Sequence, residues 1–246
     1  MNANHEIRCI EMLSRVLRKS KLVHRDSVAV LKNVANQLRS YQKTRKSGER
    51  WRYLIDESNP IIFRPTDPAT SAIRYKMRID ISGMFSEPEE GIPAFADSIK
   101  VRVWCIEKSV WFNQTLDAAT LEDAIAYLRG RVMLRFRFDY RGEAAGNEPW
   151  FHLQIGGQQE NDEYYRMPEN LGEPRFLHHP LNLTMVCEYI VRHFFPESYD
   201  RFFSDGQTQY IVRRAQEEYL GPFTDRVSEF LATPRPSYLM HMWDAR

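Results

Sequence analysis

The sequence predicts an α+β protein. It reads as a mainly antiparallel sheet of four to five strands packed against helices, with an N-terminal helical hairpin and a C-terminal helical segment. Three observations predict this. Apolar residues recur at helical spacing through the first 46 residues, apolar and polar residues alternate strictly in the middle, and helical spacing returns after residue 180. Strands grouped between helices favour antiparallel pairing, and strict alternation implies one buried sheet face and one polar face.

The elements follow in order. Residues 4–19 read as a helix with Ile7, Ile10, Leu13 or Ser14, and Leu17 on one side. A second helix spans 26–46, with Asp26 as its N-cap and Val28, Leu31, Val34, Ala35, Leu38 and Tyr41 as its apolar stripe. The hairpin is assigned to 1–47 and the α+β body to 48–246, with "KSGER" as hinge. Three prolines make 59–71 an edge strand or loop. "AIRYKMRIDI" (72–81) and "SIKVRVWCI" (98–106) alternate clearly, and "SVWFNQ" is a short return strand. Thr120 caps a short helix that Gly130 ends. A hairpin of strands then runs over 135–157, completing a sheet within about 50–156. An acidic loop follows. A core helix carries Leu183, Val186, Ile190 and Phe194 and ends near Pro196, and two more helices cover 207–220 and 224–231.

Composition narrows the classes. With 43% hydrophobic and 13% aromatic residues, the 246-residue chain can bury a sizeable core, which excludes a disordered chain. No apolar run approaches the roughly 20 residues of a membrane span. The charged N-terminus lacks a secretory apolar segment, so no membrane association and a cytoplasmic setting are expected. Cys9, Cys105 and Cys187 are far apart and form no CxxC pair; they are expected as small buried hydrophobes, not zinc ligands or a disulfide framework. Charge is uneven. Residues 1–52 hold 13 Lys/Arg against 4 Asp/Glu, leaving 21 basic and 29 acidic residues beyond. Such asymmetry marks a nucleic-acid-binding arm, or two segments that dock electrostatically.

Alternation gathers Arg74, Lys76, Arg78, Lys100, Arg102, Arg135 and Arg137 on what reads as one sheet face, with only Asp80 and Asp139 as acids. Like charges facing each other in a sheet are unfavourable, so this imbalance points to a counter-anion. Three readings stay open: a polyanion-binding face, a catalytic face, or a face matched by the chain's own acids in "SEPEEG" and "QENDE". His152 with Gln154 joins the same face. In a metal-independent ribonuclease site, His152 would be general acid or base, Arg135 and Arg137 would stabilise phosphorane charge, and Asp139 would orient the imidazole. Arg166, His178 and His179 would border that site. On the second helix Arg25, Lys32, Arg39 and Lys46 recur every seven residues, either a solvated face or a ridge for phosphates or a protein partner.

Phosphate-loop, dinucleotide, HExxH and GxSxG motifs are absent, so no cofactor and no metal are expected, although a separated Asp80/Glu107/Asp139 set stays open. The ordering "RFDY", "FHLQIGG", "YYRMP" and "PRFLHHPLNLTMVCEYIVRHFFP" over 132–196 resembles uncharacterised bacterial accessory or toxin-like proteins encoded near phage-defence and toxin–antitoxin genes. The resemblance implies a defence-linked role and transfers no catalytic residues. The expected function is therefore RNA, DNA or polyanion binding in bacterial defence. The alternatives are a metal-independent ribonuclease toxin, and a non-enzymatic subuniт of a larger assembly that docks through the N-terminal helices.

Overall fold

A computed structural model describes residues 3–46, 49–64, 75–87, 96–108, 132–140, 151–155 and 175–232. Helix α1 (Ala3–Lys19) buries Ile7, Ile10, Leu13, Val16 and Leu17, the helical stripe read from the sequence. It closes in a Schellman turn. The Leu22 amide donates to the Leu17 carbonyl and the Lys21 amide to the Arg18 carbonyl, with Lys21 left-handed at φ 57°. Helix α2 (Arg25–Thr44) has His24 as its N-cap, two residues before the expected Asp26. It ends before Lys46. The heptad stripe therefore keeps Arg25, Lys32 and Arg39 on the helix and loses Lys46 to the following loop.

Among the described residues, seven antiparallel strands form the sheet: β1 (Arg52–Ile55), β2 (Ile61–Ile62), β3 (Tyr75–Ser86), β4 (Ala96–Lys108), β5 (Val132–Tyr140), β6 (Phe151–Ile155) and β7 (Arg175–Leu177). Their order is β1-β3-β4-β5-β6-β7, with β2 also paired to β3. The α+β class holds. The strand count exceeds the expected four to five because β1, β2 and β7 are two to four residues long, too short to display alternation. The expected return strand near Trp111 and the helix from Thr120 lie outside the described residues.

One sheet face is apolar. Tyr53, Ile55, Ile61, Ile79, Ile81, Phe85, Ile99, Val101, Val103 and Phe138 are all buried in one core with α1, α2 and the C-terminal helices. Burying each such side chain contributes on the order of 1.5–3 kcal/mol. Ser27 stitches α2 to the sheet edge: its hydroxyl donates to the Ile62 carbonyl (3.1 Å) and accepts from the Ile62 amide (2.8 Å). The His24 amide donates to the same carbonyl (2.8 Å), and Val23 bridges Phe63.

Helix α3 (Leu183–Phe194) is capped by Asn182, whose side chain accepts from the Met185 amide at 2.9 Å. Pro196 does not simply end the helical region; it opens α4 (Pro196–Phe203), where a missing amide costs nothing. Helix α5 (Gly206–Ala215) runs through a π turn (Gln216–Leu220) into α6 (Gly221–Ala232), so the chain stays helical across the expected break at Gly221. No helix among the described residues is long and apolar enough to cross a membrane.

Gly83 shows how tightly β3 and β4 meet. Its φ is 153°, and a Cβ there would lie 2.4 Å from the Ser98 carbonyl oxygen and 3.0 Å from Ile99 Cα. Gly83→Ala should therefore destabilise the fold by about 3 kcal/mol through backbone strain and overpacking, read as a lower denaturant midpoint.

Candidate functional site

The polar sheet face is built by register. In β3 and β4, Asp80 faces Arg102 and Ser82 faces Lys100. In β4 and β5, Arg102 faces Arg135, Lys100 faces Arg137 and Ser98 faces Asp139. Across β6, Arg137 faces Gln154 and Asp139 faces His152. By register, Asp80, Lys100, Arg102, Arg135, Arg137, Asp139 and Gln154 share one sheet face, with His152 opposite Asp139. Arg74 lies outside the described residues, and Lys76 is placed by its backbone, opposite Glu107.

This face is largely an internal ion network. Asp80, Arg135 and Gln154 are at most 3% exposed, and Arg102 is 9% exposed. Arg102 donates Nε to Asp80 (2.8 Å) and Nη1 to Glu57 (3.3 Å). Lys100 also donates to Glu57, and Arg78 lies 3.9 Å from Asp80. Arg137 is forked between Asp139 and Gln154. The chain's own acids thus engage the central cations. Burial makes this necessary, because an unpaired buried charge costs several kcal/mol.

Glu57 was missed by sequence reasoning. It sits in the turn after β1, where Asp56 accepts hydrogen bonds from the Ser58 amide (2.7 Å) and hydroxyl (2.6 Å). Those bonds hold the Asp56 carboxyl below its ordinary pKa. The Asp-x-Ser spacing is the available signal: it specifies a turn, though not which side chain the turn aims at the sheet. His178 belongs elsewhere than expected. Its ring meets Phe138 edge-on at 4.9 Å, on the apolar side of β5, and burial pushes its pKa down to about 4. Arg166 lies outside the described residues.

The hairpin presents a different basic surface. Arg39 donates to Glu11 and to Asn36, and Arg25 lies 3.6 Å from Asp26 with its side chain 89% exposed. Lys32 is exposed, as are Arg8, Arg15, Arg18, Lys21 and Lys43. Arg8, Arg15 and Arg18 were not singled out from the sequence, although steps of seven and three put them on one side of α1.

A second buried polar group lies where α1 meets β1 and the π turn. The Tyr53 hydroxyl donates to Glu6 at 2.9 Å, and Glu6 is 2% exposed. His5 Nδ1 lies 2.9 Å from Glu218, and His5 Nε2 lies 3.6 Å from Cys9 Sγ. This thiol–imidazole–carboxylate row has the outline of a nucleophile relay. Burial first, then Glu6 and Glu218, push the Cys9 thiol up to about 12, so it stays protonated and unreactive at neutral pH. The row is therefore structural. Among the described residues no three His, Cys, Asp or Glu side chains gather as a metal site.

Burial raises the Glu6 pKa from 4.5 to about 7, against the lowering effect of the Tyr53 hydrogen bond. The folded state then holds a proton that the unfolded chain releases, so stability falls as pH rises from about 4.5 through 7. Glu6→Gln removes that cost. It should leave stability unchanged near pH 4 and raise it at pH 8 by about 3 kcal/mol, measured by denaturant titration at both pH values. No family model, curated protein or solved structure matches this chain.

Proposed function

We propose that the chain binds nucleic acid, in the bacterial defence setting that the resemblance implies, and that the outer face of the α1–α2 hairpin is its contact surface. A contrast in neutralisation supports this reading. On the sheet, Arg78, Lys100, Arg102 and Arg137 each reach a carboxylate of the chain. On the hairpin, Arg8, Arg15, Arg18, Lys21, Lys32 and Lys43 are exposed and make no ion pair with a described residue. A phosphate backbone supplies the counter-charge such a surface lacks, and its binding is driven by release of condensed counterions.

The affinity for RNA or DNA should fall linearly with salt on a log–log plot. Arg18→Glu with Lys32→Glu should weaken binding for all sequences and flatten that slope by about 2, one unit per phosphate contact. Fluorescence anisotropy at several salt concentrations measures both. A double variant that binds like the parent, with the same slope, would remove the hairpin from the interface.

One observation favours a second reading, a metal-independent ribonuclease: the register sets His152 across from Asp139 and diagonal to Arg137. RNA cleavage that persists in EDTA and is lost in His152→Ala is the outcome this reading requires.

A further inference from the structure

A groove of about 380 Å³ opens between α1 and α2, lined by Glu11, Ser14, Arg15 and Arg18 from one helix and Val28, Leu31 and Lys32 from the other. We infer that this groove is a binding site for an unstacked base of a single-stranded nucleic acid, with its flanking phosphates on Arg15, Arg18 and Lys32. The inference rests on the hairpin reading above and narrows it to a ligand class.

Position 14 explains why the groove exists. Ser14 is two helical turns from Ile7, on the inward side of α1, and is only 6% exposed. A larger apolar side chain there would fill the gap between the helices. The serine leaves a recess instead, with the half-buried Val28 as its accessible apolar floor and the fully buried Leu31 beneath. The floor is apolar and the rim cationic. Arg15 and Arg18 are one turn apart on the same side of α1, and Lys32 is one turn beyond Val28 on the facing helix. The one acid on the rim, Glu11, is already engaged by Arg39.

A duplex offers only phosphates to such a surface and has no use for an apolar floor. An unpaired strand offers both a flat apolar base and the phosphates on either side of it. The volume falls within the range of about 300–1,000 Å³ typical of small-molecule pockets, so one base fits without rearrangement of the helices. The Ser14 hydroxyl, a donor and an acceptor, lines the recess and gives a polar base edge a partner.

The experiment uses the full chain and short fluorescent oligonucleotides of one sequence: single-stranded RNA, single-stranded DNA and the matching duplex. The parent should bind the single strands about tenfold more tightly than the duplex. Ser14→Leu and Val28→Met fill the groove without changing charge or adding an aromatic ring on which a base could stack. Each should cut single-strand affinity to the duplex level while duplex affinity and the far-ultraviolet circular dichroism stay unchanged. If Ser14→Leu does not fold, Val28→Met decides. Equal binding of duplex and single strand by the parent, or an undiminished single-strand preference in Val28→Met, overturns the groove as a base site. In either case a loss of binding in the Arg18→Glu, Lys32→Glu variant still upholds the hairpin as the phosphate surface. A parent that binds none of the three probes overturns both.

Discussion

The register between β3 and β4 governs the rest of the molecule. Pairing Ile81 with Val101 and Ile79 with Val103 builds a continuous apolar surface, and the same alternation sets Asp80 against Arg102 on the other side. A slip of one residue would turn the isoleucines toward the charges and break the Arg102–Asp80 contact at once. Gly83 adds a steric condition, because only a residue without Cβ lets β3 approach Ser98 so closely. Hydrophobic burial, ion pairing and backbone clearance therefore all select one register.

The division of labour between surfaces follows. Helices α1 and α2 use their inward stripes to cover the apolar sheet face, and Ser27 ties them to its edge by two hydrogen bonds with Ile62. Their outward faces carry no packing duty and keep their charges in water. The sheet cations have no such freedom: Arg102 and Arg135 are buried, and Arg102 is held by Asp80 and Glu57. Cations held by carboxylates in a buried row stiffen the sheet. Cations on the outer face of the hairpin stay exposed, and Arg15, Arg18 and Lys32 border the groove beside Val28.

The long amphipathic elements were legible in the sequence because each has enough residues to show its period. The α1 stripe and the alternation in β3, β4 and β5 are the clearest cases. That Arg135, Arg137 and Asp139 share one face of β5 was legible from alternation, but their meeting with Lys100 and Arg102 was decided by the register of β4 and β5. Glu6 could have been flagged: it occupies the apolar stripe with Ile10, Leu13 and Leu17, so its burial follows from its spacing. Strands of two to four residues carry no period and exist only because a longer strand offers an edge, as β3 does to β2.

By itself the sequence determined the class, the apolar faces and the uneven charge, because these depend on composition and on periods measured along the chain. Tertiary structure alone decided which cations are neutralised. Glu57 lies more than forty residues from Lys100 and Arg102 along the chain, and only the turn after β1 brings it over them. It also decided that Ser14 leaves a gap, because a groove between two helices is a property of both. Neutralisation and cavity shape are set by distances in space, which spacing along the chain does not encode.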